Sequence, residues 1–375
     1  MRKMGKKITC AILAATMLGT AFTGCSKEEK LDGTQTVMTI GDEKVTLGLA
    51  HLMLRESQAS SEDYMDVLAS YYGGTGSDYL IWDDIVKNGD ITYGQQQKEN
   101  TLGSICEYYA LKMHADDYKV AVTEEESAKI EAAAEKFMKD NTQEAIDALG
   151  VSKSDIVEYL ELVTIYAKIY EPMVADVDRK VKDEEANQTK VTYASISTLG
   201  TEKDKDGKTL SLSDDEKAKR KELMQKLIDA IKKEKDIAKA DIAKIAKEIS
   251  KDIVVTTNTY TTASAKDQYA VNEVVWKAVE DMKDGEVCDK VLEASSSYYI
   301  VRLDAAVDKE ATDAKKEEII SNREVEAYKK LLEGWVAELE DDIKVDHKVW
   351  NQVELTTRQS FRFVVKEDEK KDEKK

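Results

Sequence analysis

Proline and glycine are the residues that most readily stop a helix, and this chain has few of either. It holds a single proline, Pro172, and 17 glycines among 375 residues. With turn-formers so scarce, long uninterrupted helices must carry most of the fold. Apolar residues with helical spacing run through 47–72 and through 95–118, where Ile105, Tyr108, Tyr109, Leu111 and Met113 form a broad stripe. In "VTEEESAKIEAAAEKFM", Thr123 and Glu126 have the spacing of a capping box. "VSKSDIVEYLELVTIYAKIYEPM" opens on a Ser cap, sets Ile156, Tyr159, Leu160, Val163, Ala167 and Tyr170 along one side, and ends or bends at Pro172. Such stripes must bury against one another, which makes a helical domain.

Two short segments interrupt this pattern. "VMTIGDEKVTLG" (37–48) has the alternation of two strands joined at Gly41–Glu43. "YYGGTGSDYLIWDD" is a loop whose aromatics, Tyr71, Tyr72, Tyr79 and Trp82, serve either as a core edge or as a peptide-contacting surface. Core is the commoner use of such residues.

From about 188 the period changes. "KVTYASIS" alternates as a strand, with Val191, Tyr193, Ser195 and Ser197 on one face; 200–213 reads as a charged loop. Helices follow in "DDEKAKRKELMQKLIDAIKK" and "KADIAKIAKEIS", then a β-branched strand in "DIVVTTNTYTT", a helix over 271–282, a turn at Gly285 and a closing strand in "SSSYYIVRLDAA". Strands and helices mixed in this order over so short a stretch make a small α+β domain. Then "EEIISNREVEAYKKLLEGWVAELEDDIKV" reads as one long amphipathic helix, presenting Ile320, Tyr328, Leu331, Leu332, Trp335, Leu339 and Ile343 to a partner. The N-terminal helical domain is the natural partner, so that domain is built from two chain segments. "KEDEKKDEKK" is a solvated tail.

The chain's start bears on compartment. Arg2, Lys3, Lys6 and Lys7 precede the apolar run "ITCAILAATMLGTAF", and small residues lead to Cys25, the order of a signal peptide over 1–24. "FTGC" fits a bacterial lipobox, with Phe22 where leucine is usual, and makes Cys25 the lipidated first residue of the mature chain. Two or more acyl chains at ~0.8 kcal/mol per buried CH₂ anchor stably. Ordinary secretion with a free Cys25 thiol is the alternative.

Lys and Arg number 56 against 75 Asp and Glu; losing four cations and no acids with the signal takes the formal net charge from −19 to −23. Such a chain is repelled by nucleic acid and by anionic lipid, so neither is expected as a ligand. The three histidines, His51, His114 and His347, are scattered, and no HExxH or CxxC occurs, so no metal centre is expected. Of four cysteines, only Cys106 and Cys288 are left for a disulfide, which the sequence leaves open.

These features together resemble the PrsA/SurA family of extracytoplasmic foldases. The resemblance rests on the signal and lipobox, the "IGDEKVT" opening, the "VTEEE" and "GVSKSDIVEYLELVTIYAKI" helices, the small α+β insert and the long returning helix. It implies a helix-dominated α+β protein: a signal peptide (1–24), a lipidated cysteine and tether (25–36), a SurA-like helical chaperone domain (37–187) completed by a C-terminal helix (307–357), an inserted parvulin-like peptidyl-prolyl isomerase domain (188–306), and a charged tail (358–375). It also implies no cofactor, unfolded or newly secreted polypeptides as partners, and a membrane contact through the lipid anchor. The oligomeric state stays open, a dimer included.

Two departures matter. The family's first strand resembles V-K-A-S-H-I-L and its last G-Y-H-I-I-K-V; Ser195 and Tyr299 stand at the two histidine places. The glycine-rich turn after the second helix is also missing, with "VTTNTYT" in its place. Prolyl isomerisation must overcome the amide's ~18–20 kcal/mol rotational barrier, and removing one well-aimed donor from a comparable electrostatic site costs ~10²–10³ in rate. Ser195 and Tyr299 therefore form a vestigial site, a working variant site or ordinary strand surface. The resemblance places an aromatic client-binding lining in the helical domain, with Tyr71, Tyr72, Tyr79 and Trp82 as candidates. A chaperone with reduced or absent isomerase activity is the expected function; an active parvulin-type isomerase and a transporter's solute-binding lipoprotein are the alternatives. The last would require the Gly-rich βα turns that this chain lacks.

Overall fold

The structure is a computed structural model that describes residues 30–74, 79, 82–87, 89–203, 205–267 and 271–355. The expected signal peptide, Cys25 and the charged tail lie outside these residues. The described residues divide into two compact units, one of residues 30–176 and 326–355, the other of residues 177–325.

In the first unit, β1 (Thr36–Ile40) and β2 (Glu43–Thr46) form the hairpin read from the sequence. Helices α1 (Leu47–Tyr72), α2 (Tyr93–His114), α3 (Glu124–Asp140), α4 (Gln143–Leu149) and α5 (Lys153–Met173) follow. The capping box at Thr123 and Glu126 is present, and Ser152 caps α5. Pro172 is the penultimate residue of α5, so its ring ends the helix without breaking an inner turn. The start of α1 comes close to the loop before α5: a Cβ on Gly48 would lie 2.6 Å from the carbonyl oxygen of Gly150, a contact only glycine permits. The core holds Val37, Ile40, Leu49, Leu54, Ile105, Tyr109, Leu160 and Trp350.

One buried row in α1 is polar. His51, Arg55, Gln58 and Glu62 repeat at helical spacing and are at most 3% exposed. Arg55 Nε donates to His51 Nε2 at 2.8 Å, so the ring's other nitrogen, Nδ1, carries the proton given to the Leu149 carbonyl at 3.0 Å. Arg55 also donates to Gln58 at 2.7 Å, and Gln58 to Glu62 at 2.8 Å.

In the second unit, α6 (Asp183–Ala186) precedes β3 (Gln188–Ser197). The stretch read as a charged loop, 200–213, is instead a hairpin of β4 (Leu199–Lys203) and β5 (Thr209–Ser211). Gly207 takes φ +79° there, and an Asp-Gly pair is a strong hairpin signal that the surrounding charge hid. Helices α7 (Asp214–Ile231) and α8 (Ile242–Ile249) lead to β6 (Val254–Thr261). The helix expected over 271–282 is shorter: α9 (Glu273–Val279) begins where Asn272 Oδ1 accepts the Val274 N–H and ends before Glu280 and Asp281, acids disfavoured at a helix C-terminus. Strands β7 (Leu292–Glu293) and β8 (Ser297–Ala305) complete an antiparallel sheet of order β6-β3-β8-β7.

The returning helix, α10 (Lys309–Glu338), does not extend to 345 as its pattern suggests. Glu338, Glu340, Asp341 and Asp342 put negative charge where the helix dipole is negative. Ile343–Val345 instead form β9, which pairs antiparallel with β1 through Ile40 and Ile343, and α11 (His347–Trp350) follows. Ile343 is thus a strand residue. No helix among the described residues is long and apolar enough to cross a membrane.

Candidate functional site

Strand β3 lies between β6 and β8, and its alternation sorts the sheet's two faces. Ala194 and Ile196, with their partners Ile300 and Tyr298 on β8, are buried. Tyr193, Ser195 and Tyr299 are half-buried on the other face, and Ser197 is exposed. Val191, on that same face, is fully buried. Ser195 pairs directly with Tyr299 on one side and with Val254 on the other. The rings of Tyr193 and Tyr299 stand 6.0 Å apart at 52°, and Leu292 of β7 pairs with Tyr299. Among the described residues neither the Ser195 nor the Tyr299 hydroxyl has a hydrogen-bond partner. The pair therefore offers two donors at an apolar edge and no imidazole. The "VTTNTYT" segment is uninterrupted strand in β6, so no glycine turn stands beside the pair.

The same face carries a groove of about 450 Å³ at its other end, floored by Thr189, Tyr260 and Leu303 and walled by Trp276 and Val279 of α9. Thr189 is six residues from Ser195 along β3, or about 20 Å at strand rise. The hydroxyl pair thus lies away from this groove.

The loop aromatics divide. Tyr71 and Tyr72 are 79% exposed, and Tyr79 is borderline with its hydroxyl on the Gly73 carbonyl at 2.7 Å. Trp82 is buried in the first unit's core, which corrects its place among client-contacting candidates: its indole is packed, like most tryptophans, away from solvent. Tyr64 and Val67 extend the exposed face of α1 that ends in Tyr71.

A larger aromatic group was read from the sequence only as packing stripe. In the first unit, Tyr108 of α2 meets Tyr166 of α5 edge-on at 5.4 Å, and Tyr170 meets Tyr328 of α10 at 5.2 Å. Beside them His114 stacks on Trp335 at 4.2 Å. Burial, with help from Glu56, Tyr166 and Glu107, pushes Tyr108 up to about 12. Burial also raises Tyr328, reinforced by Tyr166, Glu107, Tyr108 and Tyr170. The signal for this group was the i, i+4 spacing of Tyr166 and Tyr170 opposite "EYY".

Cys106 and Cys288 are both free thiols, each buried in the core of a different unit. Among the described residues no cluster of His, Cys, Asp and Glu could hold a metal ion.

These elements define a helix-dominated α+β protein whose second unit is a four-stranded antiparallel sheet packed with helices. In solved structures the chain is similar to a peptidylprolyl isomerase, PrsA, from Bacillus cereus, at 21% identity over 72% of this chain and 96% of that one, with a TM-score of 0.27. It is also similar to the foldase protein PrsA from Streptococcus pneumoniae, at 20% identity over 72% and 97% of the two chains, with a TM-score of 0.19. At these TM-scores and identities the likeness assigns no activity to the present chain. No family model matches it, and no curated protein does.

Proposed function

We propose that this chain is a lipid-anchored extracytoplasmic foldase that holds unfolded secreted polypeptides, and that its parvulin-like domain, 188–306, has little or no peptidyl-prolyl isomerase activity. The observation that carries this reading is the cross-strand pairing of Ser195 with Tyr299. The two places at which the sequence resemblance puts histidines are neighbours in one small sheet, and both hold hydroxyls. A parvulin-like domain without imidazoles leaves binding as the remaining work. Exposed Tyr71 and Tyr72 supply apolar contact for clients, with Tyr79 at their edge. The acidic surface favours basic clients and gains specificity from charge. The lipobox at Cys25 supplies the anchor.

Among the described residues the two hydroxyls have no hydrogen-bond partner, which sustains a second reading as an active variant isomerase. Two measurements on the full chain decide. Light scattering of an unfolding client should be suppressed at near-equimolar chain; no suppression overturns the foldase reading. Proline-peptide isomerisation should stay near the uncatalysed rate and be unchanged by Ser195→Ala or Tyr299→Phe. A clear rate that either substitution abolishes favours the second reading.

A further inference from the structure

We propose that the tyrosine group on α2, α5 and α10, together with Glu107, is a recognition site for a basic side chain, lysine or arginine, of an extended client polypeptide. The inference rests on the foldase reading and names the chemistry by which part of a client would be chosen.

The geometry comes first. Tyr108 and Tyr166 make one edge-on pair and Tyr170 and Tyr328 another, so rings from three helices converge on one place. Tyr166 is 46% exposed, and its ring is open to solvent. A cation within about 6 Å of such a ring is held by the quadrupole of its face. The hydroxyl of Tyr328 is buried without a hydrogen-bond partner, although buried polar atoms nearly always have one. A phenol oxygen accepts as well as donates, so the Tyr328 oxygen is an unused acceptor that a neighbouring side chain's shift would open to an ammonium or guanidinium.

Charge points the same way. Glu107 acts on both Tyr108 and Tyr328, and is itself raised by burial and by Glu333. Among the described residues neither Glu107 nor Glu333 has an ion-pair partner. The phenols are neutral at ordinary pH; Glu333 acts on Glu107 and Glu107 on both phenols, so the two carboxylates make this a place of negative potential. A neutral apolar peptide would leave that potential uncompensated, whereas a basic side chain would neutralise it and stack on the exposed ring.

The test compares two labelled, unstructured octapeptides that differ only in one central residue, arginine or its uncharged analogue citrulline, binding to the full chain by fluorescence anisotropy. The arginine peptide should bind about tenfold more tightly. Glu107→Gln and Tyr166→Leu lie on the surface and should each weaken it at least threefold while leaving the citrulline peptide unchanged; Tyr166→Phe, which keeps the ring, should retain it. Equal affinity for the two peptides, or a preference for arginine that survives both Glu107→Gln and Tyr166→Leu, overturns the inference. Suppressed client aggregation with no arginine preference overturns this inference alone, whereas absent suppression together with no binding of either peptide overturns the foldase reading as well.

Discussion

Ser195 and Tyr299 face each other as direct partners across the β3–β8 ladder, half-buried on the sheet face that also carries Tyr193. Directly opposed residues have Cβ atoms about 4.5–5.5 Å apart. Two side chains so placed can act together on one small group. What they lack is a ring nitrogen able to shuttle between donor and acceptor near neutral pH.

Restoring those rings is therefore the direct test of a vestigial site. The double variant Ser195→His with Tyr299→His should raise proline-peptide isomerisation by the full chain at least tenfold over the parent. Each single variant should do less, since a well-aimed donor in such a site contributes ~10²–10³. If the double variant stays at the uncatalysed rate while remaining folded by circular dichroism, the face is ordinary strand surface.

The buried row in α1 makes a prediction about acid. Burial, helped by the Arg55 charge, pushes His51 down to about 3, whereas an unfolded histidine titrates near 6.5. Above pH 6.5 the ring is neutral in both states and contributes no pH dependence. As pH falls from 6.5 toward 3, the unfolded chain takes up a proton that the folded ring refuses, and stability drops by up to ~1.4 kcal/mol per pH unit. Urea midpoints of the parent should fall over that window, and His51→Gln should flatten the curve. Glu56 and Glu107, which burial raises, act with the opposite sign at acid pH and do not imitate the effect. An unchanged slope in His51→Gln would show that the ring does not carry it.

Arg55 is the keystone of that row. Replacing it with leucine leaves His51 Nε2 and Gln58 Oε1 without the donor that each has at 2.8 and 2.7 Å. Losing a hydrogen bond from a charged donor costs about 1.5–3 kcal/mol. Arg55→Leu should thus lower unfolding free energy by several kcal/mol, well beyond the ~1 kcal/mol of losing a surface cap such as Thr123→Ala. Equal losses for the two variants in urea titrations would mean that the row is solvated.

Much of this was legible in the sequence, and the exceptions have particular causes. The β1–β2 hairpin, α1, the caps at Thr123 and Ser152, and β3 and β8 as separate strands follow from period and capping chemistry, which are local; that β3 and β8 pair was implied only by the family resemblance. The end of α10 does not, because Ile343–Val345 become a strand only when the open edge of β1 is there to receive them. The buried row of α1 was hidden for a related reason: His51, Arg55, Gln58 and Glu62 look like a polar face until each is seen to satisfy its neighbour. For the site, alternation put Ser195 on one face of its strand, and the family resemblance singled out Ser195 and Tyr299 as a pair. The tyrosine group was not, because it draws on three helices, and each helix alone shows only an amphipathic stripe.

The cysteines yield a final test that also addresses the anchor. Cys106 and Cys288 are each 7% exposed, and burial raises both thiols above their ordinary range. Since the thiolate is the reactive form, neither should react with a thiol reagent such as Ellman's at pH 7.5 while the chain is folded. Both should react once it is unfolded in guanidinium without reductant, because they are free and lie in the cores of separate units. Cys25 sets the remainder of the count on chain purified from bacterial membranes. An acylated Cys25 has no thiol, so the folded chain should show none and the unfolded chain two. One reactive thiol in the folded chain and three in the unfolded chain would mean that Cys25 carries no lipid, and the lipid anchor would have to be abandoned. Fewer than two after unfolding would mean that Cys106 and Cys288 had been oxidised, against their placement here.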